Sequence, residues 1–207
     1  TGDRACRLVR CGRPAEDADG SGGRADQAED HAERRGLPGT VGAEESVDLA
    51  ASDRHVDGID GCAIPTYAIP IASLALGFAR MASGAGLGRE RAAAARRILA
   101  ANMAEPFYVA GSERLDTLLM EAAGGRIMAK TGAEGVYCAA VPELGFGVAL
   151  KCDDGATRAA ETMLLAVLAH LFAADEDMAG TLARLADRPV RTRKGVAAGV
   201  ERFVGTL

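Results

Sequence analysis

The stretch that decides the fold runs from Gly125 to Asp154 and reads GRIMAKTGAEGVYCAAVPELGFGVALKCDD. It contains two runs with the composition of strands, Val136–Val141 and Phe146–Cys152. Pro142–Gly145 separates them, and because Pro and Gly are the strongest breakers of a periodic pattern, the three segments together predict a β-hairpin. A very apolar segment, Ala156–Phe172, follows at helical spacing and is predicted to pack on the hairpin.

The residues before and after this stretch have the period of amphipathic helices. Helices are predicted over residues 72–82, 89–103, from an N-cap at Ser112 to Glu121, and over 175–186, with a closing strand or two over 190–204. The inward positions of the second and third helices are predicted to be Ala92, Ala95, Ile98, Leu99, Met103, Leu115, Leu118 and Leu119. The fold class is therefore α/β of the α+β type, an antiparallel sheet packed against helices.

Composition excludes several classes of function. The 207 residues are 48% hydrophobic, enough to bury a core, and the net charge of −5 argues against a nucleic-acid partner, which would need a basic face. No apolar run reaches the length of a membrane span, and residues 1–30 contain no secretory signal. We therefore expect a cytoplasmic protein that binds neither nucleic acid nor membrane.

The sequence divides near residue 45. Residues 1–45 contain only four aliphatic side chains larger than alanine and no aromatic, so they are expected to be a disordered or non-family segment. Residues 46–207 are expected to form the folded domain. The five cysteines contain no Cys-x-x-Cys pair, and disulfides are not expected. Cys138 and Cys152 alternate into strand patterns and are predicted to be core thiols.

Lys130-Thr131-Gly132 is the first candidate for chemistry. In serine β-lactamases and penicillin-binding proteins, a Lys-Thr-Gly at a strand start lines the active-site cleft beside a Ser-x-x-Lys nucleophile. A lysine at a sheet edge supplies a positive field, and the glycine lets a substrate approach the strand. The tripeptide alone favours a simpler interpretation, a turn before a hairpin.

Three longer motifs together carry a family resemblance: Asp60-Gly-Cys-Ala-Ile-Pro-Thr-Tyr67, Lys130-Thr-Gly-Ala-Glu-Gly-Val-Tyr-Cys138 and Gly147-Val-Ala-Leu-Lys-Cys-Asp-Asp-Gly155. With them, the sequence from about Val47 onward resembles the thermolabile, Rhizobium-type L-asparaginases. That family is similar in fold to the serine β-lactamases and glutaminases. The resemblance implies hydrolysis of L-asparagine to L-aspartate and ammonia through a serine nucleophile, a zinc ion near the active site, and a homodimer.

The resemblance also implies roles for individual residues. Cys62 matches a zinc ligand, and a thiolate on a Gly-flanked loop is chemically suited to that role. Asp60, Thr131 and Glu134 are expected to bind substrate, and Lys130 is expected to be the catalytic lysine of the cleft.

The sequence departs from the family pattern before residue 46. No serine is followed by a lysine three residues later, and the family's Cys-Ser-Gly-Lys-His block, which supplies further zinc ligands, is missing. The resulting hypothesis is an asparaginase-type amidohydrolase that is truncated or frame-slipped at its N-terminus. The alternatives are a non-catalytic remnant of the same fold and a β-lactamase-like serine hydrolase. If N-terminal strands are missing, the sheet is expected to have an unpaired edge and the protein poor solubility.

Overall fold

The computed structural model describes residues 6–10, 56–59 and 65–204, and its architecture is α+β with an antiparallel sheet, as predicted. The strands are β1 (Cys6–Arg10), β2 (Val56–Ile59), β3 (Pro65–Tyr67), β4 (Met128–Thr131), β5 (Val136–Val141), β6 (Phe146–Lys151), β7 (Pro189–Arg191) and β8 (Ala197–Val200). The helices are α1 (Ile71–Ser83), α2 (Arg89–Ala104), α3 (Pro106–Ala110), α4 (Leu115–Ala123), α5 (Thr157–Leu171) and α6 (Glu176–Ala186).

The central sheet has the strand order β1-β6-β5-β4, and every neighbouring pair is antiparallel. Strands β4, β5 and β6 follow one another as a meander, and the predicted hairpin is confirmed, with Val141 opposite Phe146 across the turn. Strand β4 begins at Met128 and continues through Lys130 and Thr131. The candidate lysine therefore lies within a strand and not in a turn before the hairpin.

The fourth strand of the sheet comes from the N-terminal segment. β1 pairs antiparallel with β6, with Cys6 opposite Leu150 and Arg10 opposite Phe146. β1 therefore satisfies the backbone groups of β6 on that side, and the end strands of the described sheet are β1 and β4. Within the segment 1–45, expected to be disordered or outside the family pattern, these five residues form a strand, and the remainder lies outside the described residues.

Helices cover both faces of the β4–β5–β6 meander. Cross-strand neighbours share a face, so Lys130, Cys138 and Ala149, which lie opposite one another, are on the face covered by α1. The opposite face carries Tyr137 and Leu150 and packs on α4 and α5, and α6 packs against these two helices. The buried residues of those three helices include six leucines, namely Leu115, Leu119, Leu164, Leu165, Leu168 and Leu182. Fully burying such a side chain contributes about 1.5–3 kcal/mol, so this face is the main core.

Helix α1 crosses the sheet at Gly147, in strand β6. A Cβ atom built on Gly147 would lie 2.2 Å from both the carbonyl oxygen of Ala75 and the amide nitrogen of Ala79. Only a residue that lacks a Cβ atom allows such a close approach of two backbones. Ala75 and Ala79 are themselves fully buried, so helix and sheet are held together by small residues.

Several local predictions are corrected by the structure. Residues 106–110 form a short helix that was not predicted, and Pro106 is its first residue. Helix α4 begins at Leu115, so Ser112 is not its N-cap. Ile98 and Leu118 are 52% and 41% exposed, contrary to prediction, because neither position faces the sheet.

The described residues also form two small two-stranded antiparallel ribbons, β2–β3 and β7–β8. β2 and β3 form the first ribbon and pair with an irregular register between Val56 and Gly58. β7 and β8 form the second ribbon, which confirms the closing strands, and its residues are all exposed. Within the described residues, no helix is both long and apolar enough to cross a membrane.

Candidate active site

Lys130 lies on β4, the end strand of the described sheet, and its side chain is exposed. Its position opposite Cys138 puts it on the α1 face of the sheet. The ammonium Nζ donates a hydrogen bond of 2.7 Å to the carbonyl oxygen of Thr131, the next residue in sequence. The charge is therefore held against the outer edge of β4, at a place that a small ligand can reach.

The main chain of Thr131 points away from the sheet. The amide of Gly132 donates to the carbonyl of Val136 at 2.8 Å, so Gly132 is a hydrogen-bonded position of the β4–β5 ladder. Bonded and non-bonded pairs alternate along an antiparallel ladder, so Thr131, opposite Tyr137, turns its N–H and its C=O outward. Both outward groups have side-chain partners: the C=O accepts from Lys130, and the N–H donates to Asp116 Oδ1 at 2.6 Å.

Asp116 is the residue of this site that the sequence analysis missed. It is 1% exposed and lies in the first turn of α4. Its second carboxylate oxygen accepts a hydrogen bond of 2.7 Å from the hydroxyl of Tyr137. The available signal was its spacing: Asp116 lies three and four residues before Leu119 and Met120, and therefore on the buried face of the helix.

The buried groups behind the site are poor acids. Burial first, and the hydrogen bond to Asp116 second, raise the pKa of Tyr137 far above its usual range, so its hydroxyl stays a donor. Burial raises the pKa of the Cys138 thiol to about 12, with Lys130 opposing the shift, and burial also raises the pKa of Cys152. Both cysteines are buried, which confirms them as core thiols, and neither is a thiolate nucleophile at neutral pH.

Glu134 lies at the turn that follows Lys130-Thr131-Gly132. Its backbone has a φ of 54°, in the left-handed region that is uncommon for residues with a side chain. Its carbonyl accepts a 2.5 Å hydrogen bond from Lys151 Nζ, which also donates to the carbonyl of Cys152 at 2.9 Å. These main-chain contacts fix the turn and leave the carboxylate of Glu134 in solvent.

Lys130, Thr131 and Glu134 thus lie on one strand and the turn after it, and the side chain of Thr131, opposite Tyr137, is on the other face of the sheet from that of Lys130. Asp60 and Cys62, the other predicted site residues, lie between β2 and β3 and outside the described residues. In the described part of the protein, no group of three His, Cys, Asp or Glu side chains is arranged to hold a metal ion. The described residues alone therefore do not provide a zinc site.

Comparison with known proteins identifies the class to which this site belongs. A protein-family model matches the part of the sequence that contains Lys130 and the β4–β6 meander. The family consists of asparaginase-type amidohydrolases, which act on small molecules. The model is that of L-asparaginase II and matches residues 42–203, so the chain belongs to this family. Its match begins close to the boundary predicted at residue 46. No curated protein matches the sequence significantly.

Proposed function

We propose that the protein belongs to the thermolabile, Rhizobium-type asparaginases and acts on L-asparagine, with L-aspartate and ammonia as products. The observation that carries the proposal is the ammonium of Lys130 at the outer edge of β4, within residues that match the asparaginase family. In the net reaction, the C–N bond of the asparagine carboxamide breaks, water supplies the oxygen of the new carboxylate, and its protons leave with ammonia.

Each residue on β4 and its turn has a role in this proposal. Lys130 attracts the anionic parts of substrate and transition state, an interaction of about 1–4 kcal/mol for a charge pair at 4 Å near a protein surface. It exchanges a hydrogen bond to a neutral acceptor, the Thr131 carbonyl, for one to an anionic acceptor. The hydroxyl of Thr131 and the carboxylate of Glu134 are proposed to bind the polar groups of asparagine, together with Asp60.

Zinc at Cys62 is a further part of the proposal, as are a homodimer and a cytoplasmic location. Cys62 would contribute a thiolate ligand, and zinc bound there would supply a Lewis acid or a structural link. Cys138 and Cys152 are unsuited to that role, because burial keeps their thiols protonated. We assign no catalytic step to the metal.

The second candidate function is ligand binding without catalysis. It is favoured by one sequence observation: none of the three lysines, Lys130, Lys151 and Lys194, has a serine three residues before it. Covalent hydrolysis needs a nucleophile and an activating base together. Without the Ser-x-x-Lys pair, the Lys130 strand could retain affinity for an amino-acid ligand and lack turnover.

Ammonia release from L-asparagine by the purified protein tests the first candidate, with the variants K130M and K194M. Lys194 is exposed on the β7–β8 ribbon and serves as the matched control. We expect K130M to lose turnover by about 100-fold or more, equivalent to about 2.7 kcal/mol, and K194M to keep it. Binding of L-aspartate without turnover would support the second candidate instead. Hydrolysis of a chromogenic β-lactam with no action on asparagine would identify a β-lactamase-like hydrolase and refute both.

A further inference from the structure

We propose that Asp116 is a positioning residue that fixes the orientation of the Thr131 peptide and, through it, the place of the Lys130 ammonium. This inference rests on the proposed function for the role of Lys130. Asp116 belongs to α4 and touches the site from the side opposite to the α1 face, where Lys130 lies.

Asp116 connects β4 to β5 through its two carboxylate oxygens, and this pair of hydrogen bonds, to Thr131 and Tyr137, is called the Asp116 clamp below. Oδ1 accepts from the amide of Thr131 at 2.6 Å, and Oδ2 accepts from the hydroxyl of Tyr137 at 2.7 Å. One carboxylate thus joins an end strand to its neighbour through groups that the ladder itself leaves unpaired. A carboxylate that is 1% exposed is costly to bury unless its oxygens have donors, and here both oxygens have one.

The Asp116 clamp binds Thr131, the same residue whose carbonyl accepts a hydrogen bond from Lys130. The Thr131 carbonyl accepts from Lys130 Nζ, and the Thr131 amide donates to Asp116. Both groups point outward because Thr131 is a non-bonded position of the ladder. Without Asp116, the amide would face water at an edge that has no neighbouring strand in the described sheet, and the carbonyl that orients Lys130 would lose its fixed direction.

Helix position makes the carboxylate suitable for this role. Asp116 lies in the first turn of α4, where the free amides and the helix dipole favour negative charge. Its neighbour Thr117 is also buried, but Thr117 Oγ1 donates to the carbonyl of Gly111 at 2.6 Å and makes no hydrogen bond with β4. Thr117 therefore offers a matched control: a buried polar residue on the same helix turn, bonded elsewhere.

The test compares D116A, D116N and T117V in the full-length protein without ligand. The first readout is amide hydrogen exchange at Thr131, with Gly132 as the internal reference because its amide is bonded to Val136 within the ladder. The second is the ¹³Cε resonance of Lys130 in lysine-labelled protein, which contains only three lysines. Neither readout requires turnover.

We expect D116A to accelerate exchange at Thr131 by tenfold or more relative to Gly132 and to shift the Lys130 resonance. T117V should do neither. D116N keeps an acceptor oxygen for Thr131 and should fall between D116A and the wild type, and it replaces D116A in the comparison if D116A does not fold. Unchanged Thr131 exchange and an unchanged Lys130 resonance in the Asp116 variants would overturn the proposal.

Titration with L-aspartate then separates this inference from the proposed function. Weaker binding in D116A than in T117V, by tenfold or more, would support positioning. Equal affinities, despite faster exchange at Thr131, would reduce Asp116 to a structural role and overturn the proposal. If the wild type neither binds L-aspartate nor hydrolyses asparagine, the proposed function fails, while the Lys130 resonance still decides whether Asp116 positions the lysine.

Discussion

Replacing Gly147 by alanine should be among the most damaging single changes in the sheet. The added Cβ would lie 2.2 Å from two backbone atoms of α1, the oxygen of Ala75 and the nitrogen of Ala79. Ordinary contacts of a Cβ atom lie at 3.4–4 Å, so the helix must move by more than 1 Å. Backbone atoms inside a helix lack the freedom to turn aside that the end of a flexible side chain has. The movement would open the packing of Ala75, Leu76 and Ala79, which are at most 1% exposed.

Overpacking of a core lowers the free energy of unfolding by about 1–3 kcal/mol. For G147A we expect a loss of about 3 kcal/mol, because both clashing atoms belong to the backbone. For a protein of this size, that loss lowers Tm by about 6–12 °C. The matched control is G77A, on the solvent side of the same helix, where an added Cβ meets nothing within 4 Å. G77A should gain about 0.5–1 kcal/mol, because alanine is the better helix former.

Urea unfolding followed by far-UV circular dichroism measures both variants against the wild type. The expected order of stability is G77A, wild type, G147A. A free energy of unfolding for G147A within about 0.5 kcal/mol of the wild type would refute the close crossing of α1 over β6, since no relaxation that small accommodates the clash.

Two further predictions concern acid stability and metal content. Asp175 caps α6 by accepting from the amide of Met178 and pairs with Arg126, and these contacts lower the pKa of Asp175. The ionised carboxylate of Asp175 thus stabilises the fold above the pKa of an unfolded carboxyl, and this stabilisation is lost as the pH falls below about 4. D175N should therefore reduce the fall of Tm between neutral pH and about pH 4 and below. A dependence of Tm on pH that is the same in D175N and wild type would contradict this prediction. C62S should lower the zinc content of the purified protein, measured by mass spectrometry, and the control variant C138A should not. An equal zinc content in C62S and wild type would exclude Cys62 as a zinc ligand.

The sequence predicted best where local signals agreed. The β5–β6 hairpin was located to within a residue, because strand-like runs and the Pro142–Gly145 breakers give the same answer. Helix α1 was likewise predicted to within one residue at each end. The roles of Lys130, Thr131 and Glu134 rest on the family resemblance and stay predictions; the structure places the three residues on β4 and the turn after it.

The failures have tertiary causes. Ile98 and Leu118 have the spacing of a buried stripe, but whether a helix face is covered depends on which elements pack against it. Asp116 is charged, and charged residues are almost never fully buried unless paired, so its pairing with Tyr137 and Thr131 had to be known first. The pairing of β1 with β6 joins distant parts of the sequence and leaves no periodic signal between them.

The pairing of β1 with β6 has a consequence for protein synthesis. Residues 6–10 leave the ribosome before their partner, residues 146–151, which follows after roughly 135 further residues. At translation rates of about 5–20 residues per second, the interval between the synthesis of β1 and that of β6 is on the order of ten seconds. During that interval, Arg7 and Arg10 give the waiting strand two positive charges, which discourage its pairing with other nascent polypeptides. The meander β4–β6, by contrast, can form as soon as it emerges.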